Sequence, residues 1–124
     1  MVTLTEDRRT TAHYVVSESA NLYRSREQVT IASGAGKLVA GTVLGKITAS
    51  GKYTAWDADA TTGEEDAAAI LFGPVDATSA DARAVITARD TEVVAELLVW
   101  PEGTLDAAKN TQLAALSAAG IIAR

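Results

Sequence analysis

The chain has 124 residues, with 11 basic and 16 acidic side chains, a net charge of −5, one histidine and no cysteine. That length suits one domain able to bury a core without staples, and the absent cysteines exclude disulfides and thiolate metal sites. An acidic balance argues against a general nucleic-acid binder, and the longest apolar run, Ala67–Phe72, is far too short to span a membrane.

Residues 1–30 are mostly polar. The opening MVTLTEDRRTTAHY has charges but no apolar stretch of the kind a secretory signal carries. Tyr14-Val15-Val16 is a short β-prone patch, and SESANLYRSREQ after it is polar again. Such a segment buries too little apolar area to offset an ordering cost of about 1–2 kcal/mol per residue. It reads as an arm that is disordered alone, or ordered only against something else. In its functional form the arm adds a strand to a partner's sheet edge; the bland alternative is a frayed terminus.

Regular structure is expected from Val29-Thr30-Ile31, with SGAGK (33–37) as a turn. The stretch LVAGTVLGKITASGKYTAW (38–56) reads as two strands joined at Ser50-Gly51. Val43, Gly45 and Ile47 alternate with Thr42, Leu44, Lys46 and Thr48, the period of a pleated ribbon. Gly41 and Gly45 mark a bend, a bulge or a close backbone approach. DADATTGEED (57–66), with five acids and no base, is expected to be a solvated loop or hairpin tip turning at Gly63.

Ala67–Phe72 reads as a strand buried on both faces and bounded by Gly73-Pro74, followed by a polar connection from Asp76 to Asp81. Ala82, Ala84, Ile86 and Ala88 then form the dry face of a strand, with Arg83, Val85, Thr87 and Arg89 on its wet face. After a turn at Asp90-Thr91, Val93, Ala95, Leu97 and Val99 line the next strand, which Pro101 stops. Thr104 is the expected N-cap of a helix from Leu105 to Ala118, with Leu105, Ala108, Leu113 and Leu116 on one side. Gly120 stands where a helix terminator belongs, and Ile121-Ile122 is expected to tuck back under the domain.

Few residues suggest catalysis. His13 stands in the polar arm, where no scaffold would hold it in a triad, and no serine occupies a G-x-S-x-G elbow. SGAGKL fails as a phosphate loop, because Ile31 replaces the first glycine and Leu38 follows the lysine. Asp57, Asp59 and Thr61 match the first ligands of a calcium loop. The glycine is displaced to Gly63, however, and Ala68 stands where the bidentate glutamate belongs.

Four features stand in a fixed order: SREQVT (25–30), AGTVLGKITASGKYTAW (40–56), AAAILFGPVDAT (67–78), and EVVAELLVWPEG (92–103) ahead of a short helix. Together they resemble the head decoration protein D family of lambda-like tailed phages. The resemblance implies a mainly β fold with a short C-terminal helix, built on a β-clip-like bent ribbon or incomplete small barrel. It implies a homotrimer on three-fold sites of the expanded capsid, outside the shell, made in the host cytoplasm. The partner is the phage major capsid protein; no nucleic acid, membrane, cofactor, metal or catalysis is implied. By the same resemblance residues 1–30 form a capsid-binding arm and 31–124 a β-rich decoration domain. Thr11, Ala12, His13, Tyr14, Val15, Val16, Asn21, Tyr23, Arg24 and Arg26 are the arm's candidate contacts. The alternative is a receptor-binding or host-binding module displayed on the virion surface.

Overall fold

The computed structural model describes residues 10–19 and 22–124. It runs β1 Val15–Glu18, one helical turn α1 Leu22–Ser25, β2 Arg26–Ile31, β3 Gly36–Leu38, β4 Val43–Lys46, β5 Tyr53–Ala55 and β6 Ala67–Leu71. It continues through β7 Val75–Ala77, β8 Ala82–Thr87, β9 Thr91–Val93, a 3₁₀ turn Ala95–Leu97, α2 Asp106–Ala118 and β10 Ile121–Ala123. The fold is therefore mainly β with one substantial helix near the C-terminus. Five strands close into a barrel in the order β2-β5-β4-β6-β8, where only an incomplete one was expected. Beside it lie a three-stranded sheet, β1-β9-β10, and the pair β3-β7.

The ribbon is present as expected. β4 and β5 pair antiparallel through Leu44–Ala55, Gly45–Thr54 and Lys46–Tyr53. Gly51, at φ +74°, closes the turn and donates its N–H to the Ile47 carbonyl at 2.8 Å. The two faces of β4 do not divide into wet and dry, because both are covered. Val43 joins a cluster with Tyr14, Trp56, Ile70, Val93, Leu98, Leu116 and Ile121. Leu44 joins another with Ile31, Tyr53, Ala69, Leu71 and Ile86, the interior of the barrel. β6 sits between the same two clusters, which is why its sequence is an unbroken apolar run.

The acidic segment after Trp56 does not stand off in solvent. Its backbone lies on the ribbon: Thr48 donates to the Thr62 carbonyl at 2.9 Å, and Asp57 to that of Glu64 at 3.2 Å. The Trp56 indole N–H reaches the Glu65 carbonyl at 2.7 Å. The close approach that Gly45 signalled is to Glu64, whose backbone occupies the space a side chain at residue 45 would need.

Four expectations are corrected. The strand expected through Val99 ends at Val93, and residues 95–97 form a 3₁₀ turn instead. The Val94 N–H is taken by the Tyr14 carbonyl at 2.8 Å and the Ala95 N–H by Arg124 at 3.2 Å, after which the chain turns on itself. Leu97 consequently faces solvent, 41% exposed, while Leu98 is buried. Thr104 does not cap α2: its hydroxyl donates to the Pro101 carbonyl at 2.6 Å, and Leu105 holds the N-cap position without a side-chain bond. Leu105 is 73% exposed, so the inward stripe of α2 centres on Leu116 and on Gln112, whose Oε1 accepts the Ala67 N–H at 2.8 Å. Thr87, assigned to the wet face of its strand, is buried.

Two short segments read as connections are strands: Gly36–Leu38 of the SGAGK region pairs antiparallel with Val75–Ala77. Gly120 does end α2, at φ +92°, and Ile121 beyond it is fully buried, with β10 running parallel to β9. Gly45→Ala should lower unfolding stability by about 1–3 kcal/mol or more, because a methyl group there must displace the Glu64 backbone. Denaturant unfolding of the two proteins measures this.

Candidate functional site

The candidate contact residues fall in a strap that begins at Thr10 and crosses one side of the barrel. Its first turn is tight. The His13 N–H bonds the Thr10 carbonyl at 3.1 Å and the Val15 N–H that of Ala12 at 3.1 Å, with Ala12 in the left-handed region at φ 59°. That turn is fastened from outside by the Ala12 N–H on the Phe72 carbonyl at 2.9 Å, at the end of β6. From there Tyr14 drops into the core.

Tyr14 is fully buried, and its hydroxyl lies 2.6 Å from Thr87 Oγ1. Burial pushes the phenol well above the ordinary tyrosine range, with the Thr87 bond opposing. A tyrosine is tolerated there because its oxygen has a partner; an unpartnered hydroxyl would cost about 1–3 kcal/mol.

Beyond Tyr14, β1 pairs antiparallel with β9 through Val15–Val93, Ser17–Glu92 and Glu18–Thr91, with a bulge between Val15 and Ser17. Val15 packs on the core and Val16, 52% exposed, faces solvent. β1 lies at the outer edge of its sheet, since the order is β1-β9-β10. The end of β1 is tied by charge. Glu18 accepts from Arg26 Nε at 3.1 Å and Nη2 at 2.9 Å, and from the Ser25 hydroxyl at 2.6 Å.

Burial alone would push the Glu18 carboxyl up. The Arg26 and Ser25 hydrogen bonds, with the Arg26 charge, outweigh it and hold the group below the ordinary glutamate range. Arg26 also lies over the Phe72 ring, 4.3 Å from its centroid. Arg24 pairs with Asp90 at 3.0 Å, but both are exposed and the pair contributes little to stability.

The ten candidate residues are thus not equivalent. Thr11, Val16 and Arg24 are exposed, Ala12, His13, Val15 and Arg26 are half-buried, and Tyr14 is closed off inside its own chain. Asn21 and the Tyr23 side chain lie outside the described residues. The boundary expected at residue 30 is not a structural one, because it falls inside β2, a barrel strand that pairs with β8 from Arg26–Thr87 to Ile31–Ala82. Sequence reading overlooked Glu18, Ser25, Phe72 and Thr87. Tyr14 and Thr87 stand 73 residues apart, and no local pattern links them.

Among the described residues no group of three or more metal-binding side chains gathers, and no helix is long and apolar enough to cross a membrane. The family model of the bacteriophage lambda head decoration protein D matches residues 3–121. The chain belongs to that family. No curated protein matches it. Membership sets the chain among phage head decoration proteins, a structural class, and makes the virion capsid its location.

Two outcomes test the strap's attachment in the isolated decoration protein. Tyr14→Phe should cost about 1–2 kcal/mol of unfolding free energy, since it strips Thr87 of its buried partner while keeping the ring. Glu18 should add an acid dependence. Its stabilisation is complete above the ordinary glutamate value of about 4.3 and is lost as pH falls through the lower folded-state value. The stability gap between wild type and Glu18→Gln, measured by denaturant titration, should therefore shrink from pH 6 to pH 3.

Proposed function

We propose that this protein cements the expanded phage head. In this reading a homotrimer with β-clip-type bodies sits on the capsid exterior at local three-fold sites. The N-terminal segment of each copy contacts the major capsid protein, and the assembly resists the outward pressure of packaged DNA. The observation that carries this reading is the family match along nearly the whole chain, residues 3–121.

The physical mechanism is linkage. A protein that binds the expanded lattice and not its compact precursor stabilises the former by its binding free energy. Three attachment segments on one trimer act together, so weak individual contacts add up to firm attachment. The strap suits a contact role in one specific way: β1 is an edge strand, and Val16 is exposed upon it. A partner strand laid along such an edge gains main-chain hydrogen bonds, while exposed side chains supply selectivity. Tyr14, by contrast, serves attachment only indirectly, by holding β1 in place.

Co-sedimentation with purified shells tests the proposal. Full-length protein should pellet with expanded shells and not with compact precursors, and Val16→Asp should weaken that binding at least tenfold with unfolding midpoint unchanged. Equal binding to both shell forms would overturn the cement reading, and undiminished binding by Val16→Asp would overturn the β1 contact. Mass measurement in solution tests the trimer.

A further inference from the structure

The strap carries a polar atom that the fold leaves without a partner. His13 Nδ1 lies 2.9 Å from the Thr10 carbonyl oxygen. That oxygen can only accept, so Nδ1 carries the proton and Nε2 is the bare lone-pair nitrogen. Nε2 is shut away from water. Among the described residues it is the one buried side-chain nitrogen or oxygen with no hydrogen-bond partner.

The ring is also tightly seated. A methyl group on Gly41, where φ is +89°, would lie 3.0 Å from His13 Cε1, 3.5 Å from Nε2 and 3.1 Å from the Leu97 carbonyl oxygen. The Tyr14 ring meets the imidazole edge-on, with centroids 5.7 Å apart.

We propose that His13 is an acid-released fastening, whose protonation at Nε2 loosens residues 10–19 from a body that otherwise stays folded. Among the described residues, protonation adds an N–H with no acceptor and a positive charge with no hydrogen-bonded counter-charge, and a buried polar group in that condition is costly. Imidazole is the side chain whose ordinary titration falls between pH 5 and 8.

Among the described residues no carboxylate bonds Nε2 to offset the charge. Gly41 and Leu97 present backbone. Tyr14, the titratable group in ring contact, is committed to Thr87 and kept neutral by burial. Glu18, further along the strap, is engaged by Arg26 and Ser25. Glu96, beside Leu97, lines a groove of about 390 Å³ against α2 with Asp106 and Lys109. The barrel survives release because its interior cluster draws on no residue before Val29. The proposal concerns the isolated chain and does not depend on shell binding.

Amide hydrogen exchange, expressed as protection factors corrected for intrinsic rates, tests it at pH 7.5 and 5.5. The reporter is the Val94 N–H, which bonds the Tyr14 carbonyl; the Leu71 N–H, bonded to Thr42 at 2.9 Å, reports on the barrel. In wild type, Val94 protection should fall severalfold on acidification, toward the roughly tenfold ceiling that one ordinary imidazole of about 6.5 in the opened state sets over this interval, while Leu71 protection holds. In His13→Phe, Val94 should stay protected at both pH values. Should that variant fail to fold, His13→Gln, neutral across the range, carries the same reading. Unchanged Val94 protection in wild type, or an equal fall in the variant, would overturn the proposal. The chain has a single histidine, so its ring resonances report the accompanying titration without ambiguity.

Discussion

β4 is held from both sides, and the architecture follows from that. Val43 belongs to the cluster under the helix and the three-stranded sheet, and Leu44 to the barrel interior, so adjacent residues of one strand serve two separate cores. A strand of this kind cannot slip by one residue without exchanging the two sets of contacts, which fixes register firmly. β6 is constrained the same way, with Ile70 on one side and Ala69 and Leu71 on the other. Neither core is large. Sharing two strands between them lets a chain of this size maintain both.

The strap completes the outer of these two clusters. Tyr14 joins it with Val43 and Val93, and its hydroxyl meets Thr87, a residue of the barrel wall. Tyr14 is thereby closed off from outside, and β1 leaves Val16 exposed. The interactions holding the strap differ in kind: a buried aromatic, a partly buried carboxylate–guanidinium pair and a few main-chain bonds at its turn. Segments with few buried contacts open at lower free energy than core strands, and Tyr14 is the one side chain of residues 10–19 that is fully buried.

Much of the body was legible in the sequence because local signals and tertiary outcome agree there. Alternation with a Ser-Gly turn marks the ribbon, an apolar run marks β6, and Gly120 marks the end of α2. Misreadings cluster where partners distant in sequence intervene. Val93 to Val99 alternates like a strand, yet Tyr14 and Arg124 take the N–H groups of Val94 and Ala95, and a 3₁₀ turn results. Thr87 looks like a surface residue until Tyr14 arrives. Gln112, a helix residue to which the sequence pattern assigned no role, turns inward to accept the Ala67 N–H. The N-terminal segment was read from its average polarity, and averaging hides one well-placed aromatic. Its family likeness was legible from the order of four motifs, whereas the strap's folded contacts were not.

The first and last strands among the described residues share one neighbour. β1 pairs with one edge of β9, antiparallel, and β10 with the other, parallel, although β9 is only three residues long. Fraying at either terminus therefore strips a side from the strand that the opposite terminus depends on. The two ends of the polypeptide are coupled through this short central rung, so a pull on the leading end is felt at Ile121 and Ala123 rather than dissipating locally.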